Sequence, residues 1–257
     1  MPTPEPRRRR LEAADVAHTY EGRTPTRALD GVSLTVHEDE FLVIVGPVGC
    51  GKTTFLRIVA GFLRPSRGAV RCDGAPVAGP SPARGYVFQE EAIFPWMTVR
   101  ANLEFGLLAK GLAAREIEAI TADLIRLTGL EGYETAYPKE LSGGMTKMVE
   151  VARVLATDPS ILLLDEPFGL LDAQTRARMQ DELQALWEKR KKTVVLVTHD
   201  VEEALYLGDR IVVFSARPGR VRAELTVDLP RPRSLETRLS PAFLDAKRRI
   251  WEELGPA

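Results

Sequence analysis

Phe41-Leu42-Val43-Ile44-Val45-Gly46-Pro47-Val48-Gly49-Cys50-Gly51-Lys52-Thr53 is the stretch that decides the fold. The unbroken apolar run Phe41 to Val45 predicts a strand buried on both faces. It gives way to Gly46 to Thr53, which matches the pattern G-x-x-x-x-G-K-[ST], and then to a helix from Lys52 to Ala60 stopped by Gly61. Glycines at 46, 49 and 51 let the backbone approach a ligand closely, so that successive N–H groups and the positive helix end surround the β- and γ-phosphates of a nucleotide. Gly46, Pro47, Val48, Gly49, Cys50, Gly51, Lys52, Thr53 and Thr54 are therefore the candidate phosphate-binding residues. Lys52 would meet the terminal phosphates and the Thr53 hydroxyl would bind Mg²⁺. Cys50 reads as a small side chain filling a loop position rather than as a nucleophile. The competing reading, a glycine-rich strand-to-helix turn without a ligand, is outweighed by the full motif standing between a buried strand and a helix.

Strand-like and helix-like segments alternate on either side of this loop, predicting an α/β fold with a largely parallel sheet. Upstream, alternation at Val16, His18 and Tyr20 and at Leu34 and Val36 predicts antiparallel strands around a loop at 21–26. Over about residues 92–158 strand runs disappear and helical spacing takes over, as at Ile117, Ile120, Leu124 and Leu127, which predicts an inserted α-helical subdomain. Strands resume at Ile161 to Leu164, Thr193 to Thr198 and Ile211 to Phe214. Between them lie a helix carrying Met179, Leu183, Leu186 and Trp187 and a short one ending near Leu207. Arg217-Pro218-Gly219-Arg220 is a turn before the strand Val221 to Val227. Residues 1–10, with three prolines, are expected to be a disordered tail, 11–229 the main domain, and 230–257 a peripheral tail with one helix around Phe243 to Leu254.

Composition narrows the classes further. The chain has 257 residues, 44% of them hydrophobic, which is ample for a core and argues against disorder. Thirty-five Lys and Arg against 36 Asp and Glu give no global field to hold nucleic acid, so no nucleic-acid partner is expected. Two isolated cysteines, Cys50 and Cys72, suit a reducing compartment and neither a disulfide framework nor a four-ligand zinc site. The apolar runs are of strand length, far short of the roughly 20 residues that span a bilayer. Arg7 to Arg10 does not open a signal peptide, because Leu11-Glu12-Ala13-Ala14-Asp15 follows where an apolar region should stand. His18 and His37 read as structural.

A second apolar strand, Ile161-Leu162-Leu163-Leu164-Asp165-Glu166-Pro167, ends in two acids where strand ends of an α/β sheet meet ligand. Side-chain alternation sends the two carboxylates in different directions and to different tasks. Asp165 would hold the Mg²⁺ shell, and Glu166 would polarise the attacking water as general base. An Asp-Glu pair alone suits a solvated strand end equally well; beside a phosphate loop the catalytic reading prevails.

Leu141-Ser142-Gly143-Gly144-Met145, with Asp165 23 residues after Ser142, resembles the signature motif of ATP-binding-cassette (ABC) ATPases. The resemblance covers roughly residues 12 to 228. It implies that Tyr20, otherwise a half-buried strand tyrosine, stacks on adenine. Gln89, in Val87-Phe88-Gln89 after a strand, resembles the glutamine at the junction of core and helical subdomain, serving catalysis and the Mg²⁺ shell. Asp172 resembles the D-loop aspartate and also suits the N-cap of the next helix, while His199 resembles the switch histidine that contacts the γ-phosphate. Ser142, Gly143 and Gly144 open a helix and offer an anion site, which in the family faces the ATP of a second subunit. A homodimer, or a pseudo-dimer with a related ATPase, follows from that resemblance, closing on ATP and opening after hydrolysis.

Met145 stands where glutamine is most frequent in the family, and Thr146-Lys147-Met148 replaces a basic, glutamine-containing run, which leaves open how this helix docks. A methionine at this point is similar to ATPases of nitrate, sulfonate and taurine importers. The stretches Val87 to Val99 and Asp209 to Arg220 resemble the same subfamily. Ile93, Phe94, Trp96 and Met97 then read as part of a groove for a coupling helix of a membrane permease, or as a core patch of the helical subdomain, two roles that are compatible. The resemblance implies an ATP-hydrolysing subunit lying peripherally on the cytoplasmic face of the inner (cell) membrane. Its importer would take up a small nitrate-, sulfonate- or taurine-like anion through a separate permease, with a solute-binding protein acting indirectly. The alternatives are an exporter or lipid-trafficking ATPase, or a soluble cassette outside transport.

Overall fold

The structure, a computed structural model, describes residues 7–255. In chain order the elements are β1 (Arg9–Tyr20), β2 (Thr26–His37), β3 (Phe41–Val45), α1 (Lys52–Ala60), β4 (Arg67–Cys72), β5 (Ala75–Pro76) and β6 (Arg84–Val87). Next come α2 (Val99–Ala109), α3 (Ala114–Leu127), a 3-10 turn at Pro138–Glu140, α4 (Gly143–Ala156), β7 (Ile161–Asp165) and α5 (Ala173–Lys189). The chain closes with β8 (Thr193–Thr198), α6 (Val201–Leu207), β9 (Arg210–Phe214), β10 (Val221–Thr226), α7 (Leu235–Arg238) and α8 (Pro241–Leu254). Two compact units divide it: one is formed by the chain up to Ser81 and from Lys191 onward, the other by Pro82–Arg190.

In the first unit β3 lies between β8 and β9, parallel to both, and β10 runs antiparallel beside β9. Every residue of β3 and β8 is buried, which is why both stand out in the sequence as continuous apolar runs. Burying each such Val, Leu, Ile or Phe contributes about 1.5–3 kcal/mol. Val45 pairs with Thr198, so Gly46 and His199 leave neighbouring strands at the same carboxyl end. α1 packs Phe55 edge-on against Phe214, ring centroids 5.9 Å apart.

A separate antiparallel sheet runs β2-β1-β4-β5. β1 begins at Arg9, two residues inside the tail expected to be disordered. Arg10 is the reason: its guanidinium pairs with Glu38 and, at 2.7 Å, with Asp73, charges that follow the two strands flanking β1. The rest of that expected tail, residues 1–6, lies outside the described residues. β4 has no counterpart in the sequence reading, because only Val70 and Cys72 of its six residues are buried and no apolar run marks it.

The C-terminal segment also differs from expectation, with two helices rather than one and a docked rather than peripheral course. Arg233, 3% exposed, donates to the carbonyls of Leu205, Tyr206 and Gly208 at 2.9, 3.1 and 2.7 Å, a cation on the carboxyl end of α6. Tyr206 returns a hydroxyl bond to the Arg233 carbonyl at 2.7 Å, and Phe243 and Ile250 of α8 are buried.

In the second unit β6 and β7 pair in parallel, Val87 beside Leu164, so the Phe88-Gln89 segment and the Asp165-Glu166 acids leave the same end of adjacent strands. Residues 92–158 hold α2, α3, the 3-10 turn and α4. α3 buries Ile117, Thr121, Leu124 and Ile125. α5 buries Met179, Leu183, Leu186 and Trp187. Asn102, fully buried in α2, ties down the segment before that helix. Its amide oxygen accepts the Phe94 N–H at 2.9 Å, and its amide nitrogen donates to the carbonyls of Phe94, Met97 and Thr98 at 3.2, 3.2 and 3.0 Å. Asn102→Ala should lower unfolding free energy by about 2–4 kcal/mol, because several buried backbone groups lose this partner at once. Denaturant unfolding of the variant measures it, and a loss under about 0.5 kcal/mol would show that the segment holds itself.

Candidate functional site

The phosphate loop is fixed by close backbone approaches. Gly51 sits at φ 102°, and a Cβ there would lie 2.6 Å from the Ala28 carbonyl oxygen, so only glycine fits ahead of α1. Cys50 is 1% exposed, with its sulfur packed toward Gly46, where a Cβ would come within 2.9 Å of it. Val48 stands at the exposed tip. Lys52, 4% exposed, folds its ammonium over the loop and donates to the carbonyls of Gly46 at 2.8 Å and Pro47 at 3.1 Å. Thr53 and Thr54 open α1, and the Thr54 hydroxyl lies 3.1 Å from the Tyr20 hydroxyl. That contact places the half-exposed Tyr20 ring beside the helix that leaves the loop, braced edge-on by His18 at 4.7 Å. His18 in turn contacts the Arg64 carbonyl through Nδ1.

Two further residues support the loop that sequence reasoning saw only as a turn. Gly219 donates its N–H to the Ala28 carbonyl at 2.8 Å, and its Cβ, if present, would lie 2.1 Å from the Cys50 carbonyl oxygen. Arg217 donates through Nε to the Gly49 carbonyl at 3.2 Å. His199 is exposed at the end of β8, and the next residue, Asp200, caps α6 by accepting the N–H groups of Glu202 and Glu203.

In the second unit the two acids differ as their positions on a strand end require. Asp165 is 2% exposed and accepts a 2.6 Å hydrogen bond from the buried Tyr86 hydroxyl, a partner on β6 that sequence spacing does not reveal. Glu166 is less buried and holds φ +44°, a left-handed conformation that a side chain longer than Asn or Asp seldom adopts. Strain of this kind persists where the surroundings impose it, commonly at active sites. Asp172 caps α5, accepting the N–H groups of Gln174 and Thr175 at 3.0 Å each. Hydrogen bonds from the Thr175 side chain and then its backbone N–H hold the Asp172 carboxyl below the usual carboxylate range against a small opposing effect of burial.

Ser142 is the N-cap of α4, its hydroxyl accepting the Met145 N–H at 3.3 Å, and Ser142 and Gly143 are exposed. The docking of this helix, left open by its sequence, is carried by Lys147, Glu150 and Arg153. Lys147 reaches the carbonyls of Phe88 and Gln89 at 3.1 and 3.4 Å. Glu150 accepts the Ala92 N–H, and Arg153 donates to the Ala92 carbonyl at 2.6 Å. The Gln89 side chain itself is on the surface of its unit.

The donors named for a cation, the Thr53 hydroxyl, the Gln89 amide and the Asp165 carboxylate, are all oxygen, a set that suits the hard ion Mg²⁺ with its preference for one or two carboxylates plus phosphate. At Gly46 and Gly51 a Cβ would collide with the Cys50 sulfur and the Ala28 carbonyl oxygen, so packing demands glycine in this loop, whose successive N–H groups suit the oxygens of a polyphosphate.

A strand, phosphate loop and helix on a mostly parallel sheet, with acids closing a second strand, define a nucleotide hydrolase of the phosphate-loop class, as expected from the sequence. Residues 29–169 match the ABC transporter family. An uncharacterised ABC transporter ATP-binding protein of Methanocaldococcus jannaschii is 52% identical over 87% of this chain and 83% of that protein. The aliphatic sulfonates import ATP-binding protein SsuB of Bacillus licheniformis is 45% identical over 90% of this chain and 89% of that protein. The nitrate import ATP-binding protein NrtD of Synechocystis is 43% identical over 86% and 83%. Among solved structures, a dimeric ATP-binding cassette in a post-hydrolysis state bound to ADP and Pi superposes with a TM-score of 0.73, at 32% identity over 84% of this chain and 98% of that one. The chain belongs to the ABC transporter family, and it is an ABC-type ATPase.

Proposed function

We propose that this chain is the ATP-hydrolysing subunit of an importer for a small sulfonate- or nitrate-like anion, working as a dimer on a separate membrane permease served by a solute-binding protein. Identity of 43–45% to two import ATP-binding proteins over more than four-fifths of each chain supports it. No helix among the described residues is long and apolar enough to cross a membrane, so the spans belong to the permease in this reading. We take the ATPase domain as residues 11–229, extended by β1 to Arg9, with about 92–158 as its helical subdomain.

The site residues then divide the work. Tyr20 stacks on adenine, the N–H groups of Gly46 to Thr54 bind phosphate oxygens, and Lys52 exchanges its carbonyl partners for the terminal phosphates. Thr53, Asp165 and Gln89 hold Mg²⁺, which when bound supplies charge neutralisation at the phosphates. Tyr86 fixes the Asp165 carboxylate by donating to one of its oxygens. Glu166 accepts a proton from the attacking water, and His199 hydrogen-bonds the γ-phosphate. Ser142, Gly143, Gly144 and Asp172 serve the nucleotide of the opposite subunit.

The permease contact rests on one observation. Trp96 is 70% exposed, and its ring sits 5.6 Å from that of the half-buried Phe94, which lies tilted 4.7 Å from the half-exposed Phe105. Large aromatics left in water beside one another are the usual anchors of an interface. The test is ATPase activity of the complex reconstituted with its permease, stimulated by a binding protein carrying a sulfonate or nitrate. Stimulation supports the reading, and purification only as a soluble assembly without a membrane partner refutes it. In the same assay Trp96→Ala should remove about 2 kcal/mol or more of docking energy, abolishing stimulation while ATP binding stays normal; undiminished stimulation would remove Trp96 from the interface.

A further inference from the structure

We propose that Lys147 and Glu150 are positioning residues that clamp the Gln89 backbone to the signature helix, an inference that rests on the reading of Gln89 above. Lys147, Glu150 and Arg153 succeed one another every three residues along α4, on one face of the helix. The first two are 4% and 1% exposed and form an ion pair of 2.7 Å. An ammonium has three donor hydrogens, and here Nζ reaches three acceptors: the Phe88 carbonyl, the Gln89 carbonyl and the Glu150 carboxylate. The other Glu150 oxygen accepts the Ala92 N–H, and Arg153 holds the Ala92 carbonyl while its guanidinium lies 4.9 Å over the Phe94 ring. Burial lowers the Arg153 pKa, partly offset by the Glu150 charge.

Stability alone does not explain this pair. A buried ion pair usually gains little or nothing over apolar residues of the same size. What it supplies that an apolar pair cannot is charge-assisted hydrogen bonding to main-chain groups, with the cation on the carbonyls and the anion on the N–H. The segment from Phe88 to Ala92 has no helix or strand of its own. The clamp therefore fixes where the Gln89 main chain lies relative to the helix that Ser142 opens, one turn away. The half-buried Phe94 and the exposed Trp96 follow on the same tether. Lys147 lies in the Thr146-Lys147-Met148 run that departs from the family's usual pattern.

The double variant Lys147→Met/Glu150→Leu removes both charges of the pair together, and the Phe88 to Ala92 groups it frees belong to exposed or half-buried residues that can turn to water, so its melting temperature should change little. Misplacing a catalytic side chain by about 1 Å can lower turnover up to about 100-fold, and we expect kcat for ATP hydrolysis to fall about tenfold. KM for ATP should stay within about threefold, and amide exchange at Phe88 to Ala92 should speed up at least about tenfold. The exchanged pair Lys147→Glu/Glu150→Lys keeps the ion pair but turns a carboxylate toward the Phe88 and Gln89 carbonyls. It should be as slow as the apolar variant. Recovery of normal kcat by the exchanged pair would overturn the proposal, since it would show that the pair only braces the helix. Unchanged kcat or unchanged exchange in the apolar variant would overturn it as well. If the exchanged pair does not fold, the apolar variant decides alone. Normal turnover by Gln89→Ala would defeat the reading of Gln89 itself, and exchange at 88–92 would still report whether the clamp holds the segment.

Discussion

Glu166→Gln should bind ATP within about twofold of the parent chain while hydrolysing it about 10²- to 10⁴-fold more slowly, the range a positioned general base supplies. The amide is isosteric with the carboxylate and keeps a hydrogen-bond acceptor for the water, but it cannot take the proton that must leave as the oxygen attacks. The neighbouring Asp165 keeps its Tyr86 partner, because its buried carboxylate accepts the Tyr86 hydroxyl whichever side chain stands at 166. The left-handed backbone at residue 166 is as strained with glutamine as with glutamate, so stability should not change. With hydrolysis blocked and phosphate contacts intact, the ATP-bound dimer should accumulate and be visible by size-exclusion chromatography. Near-normal single-turnover rates would remove Glu166 as the base and pass the role to another group.

The parts of this molecule that were legible in its sequence are those where local chemistry is self-sufficient. β3 and β7 are buried on both faces, so their apolar runs need no partner to be recognised, and the glycines of the phosphate loop announce a turn by what they lack. The fold class, α/β with mostly parallel strands, follows from these two segments. What stayed hidden depends on polar groups meeting across long sequence separations. Tyr86 and Asp165 are 79 positions apart, Lys147 and Phe88 59, and Arg233 and Gly208 25. A lysine or arginine in isolation reads as solvent-exposed, and it becomes interior only when its hydrogen-bond partners are supplied. The same holds for Asn102, whose four bonds to one short segment are invisible in a helix that otherwise looks weakly amphipathic. β1 shows the converse. Its register shifts near Asp15, at φ 51°, break the alternation that would have marked a twelve-residue strand.

Lys52→Ala should weaken ATP binding most of all the substitutions considered. Removing one partner from a desolvated, hydrogen-bonded charge contact costs about 2–5 kcal/mol, at least a thirtyfold loss of affinity on the scale of 1.4 kcal/mol per tenfold. Two effects would combine in that loss. The phosphates and the Gly46 and Pro47 carbonyls lose their cation, and the loop loses the buried stem that packs beneath it. Lys52→Met separates them, because it keeps the buried stem of a side chain that is only 4% exposed while deleting the charge. If the cation dominates, both variants should bind ATP equally poorly, with Lys52→Met melting close to the parent chain. If loop architecture dominates, Lys52→Met should recover much of the affinity that Lys52→Ala loses. Titration of a fluorescent ATP analogue reads the affinity, and micromolar binding by Lys52→Met would count against the assignment of this loop to the terminal phosphates. The geometry favours the first outcome. Close backbone approaches at Gly51 and Gly219 already hold the loop in shape without the ammonium, so the charge is left as the main contribution of Lys52 to binding.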